Sequence, residues 1–164
     1  MKEKTSKEKK EYLDEHLCYE LWMFFESYKK VKELLGEKGY FVNIFLETTL
    51  IHFRCLIEFY YYAKRYPTDT RAYEFVQDDR KWNAEKKDKN YIINDEEWNR
   101  LNQEIAHLTW NRIMGFTSEK DWWEMLSRGY PKIVEITDIF LSNLISKIKL
   151  KKVPELVDTM KKEI

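Results

Sequence analysis

The chain has 164 residues with 29 basic and 29 acidic side chains, so its formal net charge is zero at neutral pH. That balance excludes a protein that coats nucleic acid through a broad positive field, and it leaves room only for a local basic site. With 4 glycines, 3 prolines and long periodic apolar runs, the composition points to one all-α domain over residues 1–164, with a core over about 8–150 and a C-terminal tail over 151–164.

The first helix is expected from about Ser6 to Leu35, closed by Gly36. Leu13, Leu17, Leu21, Phe24, Tyr28, Val31 and Leu35 follow steps of three and four, one apolar stripe of helical period. The link Gly36-Glu-Lys-Gly39 is short, so the second helix should return antiparallel. That helix is expected from about Tyr40 to Tyr66, stopping before Pro67. It is apolar on most sides, which places it centrally, and it keeps one polar stripe of Glu47, Arg54 and Glu58. The stripe reads as an internal set of ion pairs or as part of a site.

Residues 67–94 lose the periodicity, apart from room for a short helix. Such a long connection in a small domain is more often functional or mobile than idle. A third helix begins at an Asn94 or Asp95 cap, with Glu96 and Glu97 in its first turn, and reaches about Met114 near Gly115. Thr117 or Ser118 would cap a short helix to Leu126. After Arg128-Gly-Tyr-Pro131 a last long helix is expected over Lys132 to about Leu150, closed by Pro154 and followed by an amphipathic tail. The whole reads as an antiparallel up-and-down bundle of four to five helices.

Cys18 and Cys55 lack metal-ligand spacing and sit in helical patterns, which suggests buried free thiols in a reducing compartment. The charged N-terminus is not followed by a signal-type apolar segment. The most apolar span, Tyr40 to Tyr62, is interrupted by Glu47, His52, Arg54 and Glu58. A cytoplasmic protein without a membrane partner is the expectation.

The segment Arg100-Leu-Asn-Gln-Glu-Ile-Ala-His107 carries the candidate chemistry. Seven residues make about two helical turns, so Arg100 and His107 share a face. A guanidinium that is always charged, beside an imidazole that titrates near neutrality, can bind a phosphate and move a proton. Trp98, Leu101, Ile105, Leu108 and Arg112 cluster on the side expected to face the core. His107 lies roughly 130° from the middle of that cluster. Gln103, Glu104 and Asn111 share or flank its sector, a polar strip facing solvent, a cleft or a partner. Arg112 falls on the core face, which suggests a buried ion pair with Glu58 or Glu47 more than a phosphate contact. Arg54 has the same two readings.

Arg100-x6-His107 on the third long helix of a small bundle resembles the motif of the HEPN superfamily, an Arg followed four to six residues later by His. Gln103-Glu-Ile-Ala-His-Leu-Thr-Trp-Asn-Arg112 is similar to the Ala-His-Leu-Thr-x-x-Arg stretch of small bacterial HEPN-like proteins. Ile51-His-Phe-Arg-Cys-Leu-Ile-Glu-Phe-Tyr60 resembles their upstream apolar helix with its own Arg. The likeness covers about residues 10 to 150. It implies RNA cleavage without metal or cofactor, at a cleft where two protomers each bring one Arg and one His. His107 would handle the 2′-hydroxyl or leaving-group proton, and Arg100 would orient and neutralise the scissile phosphate. The product would carry a cyclic phosphate. A homodimer, an RNA substrate and an antitoxin-like partner protein in a defence or toxin–antitoxin setting are the implied partners. The alternative is a helical interaction module without catalysis.

Glu104-x-x-His107 has the form of a di-iron bundle ligand pair, but no second copy exists in the chain. His16, His52 and His107 fall one per long helix, and a metal site is not expected from them. Trp82, Trp98, Trp122 and Trp123 are expected to pack in the core or at an interface rather than to stack on bases, while Trp110 points off the core face, toward the Trp122-Trp123 segment or a partner chain.

Overall fold

The structure is a computed structural model that describes residues 4–36, 40–106 and 119–164. Among the described residues it is mostly helical and contains no strand. Thr5 opens the first helix with a reciprocal box: its Oγ1 accepts from the Glu8 N–H at 3.2 Å, and its own N–H donates to the Glu8 carboxylate at 2.8 Å. Helix α1 spans Ser6–Tyr12 and α2 spans Cys18–Glu33; a π-helical turn, Leu13–Leu17, joins them. The predicted stripe holds from Leu13 to Val31, all buried. Leu35 does not belong to it, because the helix ends at Glu33 and Leu35 is 49% exposed. Gly36 follows in the left-handed region, at φ 89°, which glycine adopts without steric cost.

Helix α3, Tyr40–Tyr61, returns along α2. Glu20 and His52, about equally far from the turn, meet at 2.7 Å, and Phe24 stacks on Phe53 at 5.6 Å. The helix stops short of the expected Tyr66 because the Asp69 carboxylate draws the chain aside. It accepts the N–H groups of Arg65 and Tyr66 and pairs with Arg71 at 3.0 Å. By length and composition alone α3 could cross a membrane. One of its faces, with Leu46, Leu50, Phe53, Leu56 and Ile57, is buried in the core. The other face is exposed at Phe41, Ile44, Ile51 and Cys55, so the expected central position holds on one side only. Cys55 is therefore an exposed residue and Cys18 a half-buried one, not the fully buried pair expected. Local desolvation, then the Glu20 and Glu58 carboxylates, still push the Cys55 thiol up to about 11, which keeps it protonated and unreactive at neutral pH.

The 67–94 connection is structured rather than irregular. It holds a 3₁₀ turn, Ala72–Glu74, and two short helices, α4 Asp79–Glu85 and α5 Lys89–Ile92. Asp78 caps α4 through the N–H groups of Arg80 and Lys81, and Asp88 caps α5 through that of Asn90. Trp82 on α4 is 1% exposed and meets Tyr60 and Phe140 edge-on or tilted, which anchors the connection in the core.

Helix α6 spans Asp95–Ala106, and its cap is Asn94, whose Oδ1 accepts from the Glu97 N–H at 2.9 Å. Helix α7 is a single helix, Glu119–Ser142, that runs through Arg128-Gly-Tyr-Pro131 where a break was expected. Packing decides this: Tyr130 is 1% exposed, stacks on Tyr28 at 4.3 Å and donates its hydroxyl proton to the Met160 carbonyl. The missing Pro131 N–H is a local loss which that burial outweighs. The helix also ends earlier than Leu150. Beyond Ser142 the backbone pairs with the connection, Gln77 N–H to the Asn143 carbonyl at 2.8 Å and Ile145 N–H to the Phe75 carbonyl at 2.9 Å.

The C-terminal residues fold as α8, Lys152–Met160, with Val153, Val157 and Met160 fully buried. Pro154 sits in the first turn of α8, where a proline lacks nothing, rather than after a helix end. The start of α8 has no cap of its own. The carboxylate of Asp14, turned inward by the π-helical turn, accepts the N–H groups of Lys151 and Lys152, each at 3.3 Å, and binds the Lys10 ammonium at 2.8 Å. Burial alone would raise its pKa; the Lys10 contact and the two N–H groups together hold it below the usual carboxylate range.

Candidate functional site

The candidate pair begins on α6. His107, Trp110, Asn111 and Arg112 lie outside the described residues, as does the expected course of the third helix beyond Ala106. Trp98 and Leu101 are buried and Ile105 is half-buried, as the helical phase predicts. The buried arc is wider than the apolar positions alone require. It takes in Glu104, 9% exposed, while Gln103 stays exposed.

Arg100 lies at the edge of that arc, and its guanidinium is held on two sides. Nε donates to the Glu104 carboxylate at 3.2 Å, one helical turn on. The flat face rests on the indole of Trp122, 4.3 Å from the ring centre. Such a desolvated cation–π contact contributes about 1–2 kcal/mol. Trp122 comes from α7, so no spacing within the Arg100 segment could have announced it. The Nη2 group of Arg100 is buried and has no hydrogen-bond partner among the described residues. A buried donor left unpaired costs about 1–3 kcal/mol, so this edge of the guanidinium is set to take an acceptor.

Arg54 sits on the exposed side of α3, half-buried, and forks onto Glu58 through Nε at 3.2 Å and Nη2 at 3.1 Å. It is an ion pair within one helix, made to one oxygen of the Glu58 carboxylate. His52 is tied to Glu20, and His16 lies against Tyr12 with ring centres 4.8 Å apart. No group of three or more metal-ligating side chains occurs among the described residues. Trp82, Trp98 and Trp122 are buried, and Trp123 stacks on Tyr28 at 5.1 Å, so these indoles serve packing. Trp22, by contrast, is 49% exposed beside Tyr19.

Two open cavities lie elsewhere. One, of about 690 Å³, is lined by Lys9, Tyr73, Gln77, Asp78 and Arg80 among others. The second, of about 530 Å³, lies between the end of α3 and the turn before α5. Neither includes Arg100. No family model, no curated protein and no solved structure matches this chain.

Proposed function

We propose that this protein is a HEPN-like antiparallel helical bundle that binds RNA, or cleaves it without metal, at a cleft formed by two copies of the chain in the cytoplasm. The observation that carries the reading is the Arg100 guanidinium, held over the Trp122 ring with a buried Nη2 that lacks an acceptor among the described residues, on a helix that runs to the residue before His107. A phosphate oxygen satisfies such a donor, while Glu104 keeps the Nε edge and sets the orientation. The phosphate competes with Glu104 for the same charge, so binding of a single phosphate is weak and depends on the second protomer's pair. His107 takes the 2′-hydroxyl proton or protonates the leaving oxygen, and the product carries a cyclic phosphate. A defence or toxin–antitoxin role, with an antitoxin-like protein as partner, follows from the same resemblance.

The test is RNA cleavage in EDTA. Activity in the wild type, reduced to background in His107→Ala and at least about a hundredfold in Arg100→Ala, is the expected result. Folded protein that neither binds nor cleaves RNA at low salt, or an unaffected rate in Arg100→Ala, overturns it.

A separate observation favours a second reading, an assembly module without catalysis. Phe41, Ile44, Thr48, Ile51 and Cys55 follow steps of three and four along the outer face of α3, with Tyr19 and Trp22 exposed on α2. This is the spacing of a helix-pairing seam. An antiparallel second copy that sets Thr48 against Ile51 also sets Glu47 opposite Arg54, twice by symmetry. On this reading the wild type runs as a dimer in light scattering, and Ile51→Glu runs as a monomer with unchanged helical circular dichroism. A wild type that is monomeric at its highest soluble concentration removes the reading.

A further inference from the structure

The second cavity is lined by a residue with a buried unpaired hydroxyl and by a half-buried ammonium without an ion pair among the described residues, and together they point to a ligand, independently of Arg100. It is bounded by Tyr61 and Tyr62 at the end of α3, Asn83 and Lys86 of α4 and the residues after it, and Lys87 and Lys89 at α5. The hydroxyl of Tyr61 is buried and has no hydrogen-bond partner among the described residues. A phenol in that state has given up water and received nothing, a loss that native structures rarely carry without a purpose.

The ammonium of Lys86 stands above the same ring, 5.4 Å from its centre, and 5.5 Å from the centre of the Trp82 ring. It makes no ion pair with a described carboxylate, and burial pushes its pKa down. Two aromatic faces compensate it only in part. The surrounding charges do not fill the gap. The Asp88 carboxylate accepts the Asn90 N–H at 2.7 Å. Lys89 pairs with Asp95 at 2.8 Å, and Glu135 accepts the Tyr91 hydroxyl proton at 2.8 Å. Lys132 donates to the Tyr91 carbonyl.

A hydroxyl donor and an ammonium that share one cavity, with Lys87 beside them, are both satisfied by one oxyanion. The volume of about 530 Å³ is larger than an inorganic anion requires and falls in the range of small-molecule sites. We propose that this cavity binds a small phosphate monoester, its phosphoryl oxygens held by Tyr61 and Lys86 and its organic body lying between Tyr62 and Asn83. The run Tyr60-Tyr61-Tyr62 and the lysines at 86, 87 and 89 are visible in the sequence, yet 24 intervening residues separate Tyr61 from Lys86 and only the fold joins them.

The test uses the full chain and three probes at constant ionic strength: inorganic phosphate, phenyl phosphate and benzoate. Thermal midpoint and the Trp82 indole N–H resonance are followed. Phenyl phosphate is expected to raise the midpoint and to shift the Trp82 signal saturably, more tightly than inorganic phosphate and with benzoate weakest. Tyr61→Phe is expected to weaken the phenyl phosphate Kd about tenfold, the cost of one hydrogen bond to a charged acceptor, without lowering the ligand-free midpoint. Lys86→Met is expected to abolish the saturable shift, and Arg100→Ala to retain it, which separates this site from the RNA reading. The proposal is overturned by no saturable response in the wild type or an undiminished response in Lys86→Met. A lower ligand-free midpoint in Tyr61→Phe overturns it too, since the hydroxyl would then have a partner within the protein. Benzoate binding as tight as phenyl phosphate overturns the phosphate assignment.

Discussion

Gly129→Val is expected to lower the stability of the protein by about 1–3 kcal/mol, which for a chain of this size is a fall of several degrees in Tm. Gly129 lies inside α7, where a glycine normally weakens a helix by about 0.5–1 kcal/mol relative to alanine. Helix propensity alone therefore makes Gly129→Ala a stabilising change. The contact with α3 reverses the sign. A Cβ at position 129 would lie 2.7 Å from the Phe53 Cζ and 2.9 Å from its Cε2. Phe53 is fully buried and stacked on Phe24, so its ring has no free direction in which to retreat. Gly129→Ala is expected to be destabilising in the wild type and neutral or stabilising in a Phe53→Leu background. Thermal melts of the two single variants and the double variant measure that coupling. A wild-type chain made more stable by Gly129→Ala would show that α3 and α7 are not in this close contact.

Asp14→Ala is expected to cost about 1–3 kcal/mol, more than an ordinary surface carboxylate, because one side chain caps a helix from a distant part of the chain. The start of α8 carries Lys151 and Lys152, which oppose the helix dipole, and Asp14 answers both the dipole and the unpaired N–H groups. Its pKa in the folded protein lies below the unfolded value, so the carboxylate binds fewer protons folded than unfolded. The contribution is complete above the ordinary aspartate pKa and is lost as pH falls through the depressed folded value. Denaturant melts at pH 7 should therefore separate wild type from Asp14→Asn, and melts near pH 2–3 should bring them together. An equal gap at both pH values would mean that the carboxylate's charge is not what holds α8. Loss of Asp14 should also release Val153, Val157 and Met160 first, read as early hydrogen exchange in α8.

Much of the fold was legible in the chain because its signals are local. The stripe from Leu13 to Val31, the turn at Gly36 and the Asn94 cap depend on residues within one or two helical turns of each other. The caps Asp78 and Asp88 are equally local, but the helices they open are short, and short helices leave too few periods to read. The expected break at Pro131 failed because a proline weighs against a helix only locally, while Tyr130 is buried by contacts with distant residues that outweigh it. Pro154 marks a helix start, where its missing N–H costs nothing, and not a helix end. At the candidate site the chain showed the spacing of Arg100 and His107 and the core phase of Trp98 and Leu101. It could not show that Arg100 lies on Trp122, because that depends on where α7 passes.

Periodicity and composition are enough to establish an all-α chain, the register of its main apolar stripes and the helix that carries Arg100. Tertiary structure alone decided that α7 runs unbroken past Gly129, that Asp14 caps a helix more than a hundred residues away, and that Tyr61 and Lys86 share a cavity. The physical reason is common to all three. Burial and hydrogen-bond satisfaction are settled between elements, and their energies of about 1–3 kcal/mol exceed the local preferences of fractions of a kcal/mol that a sequence displays.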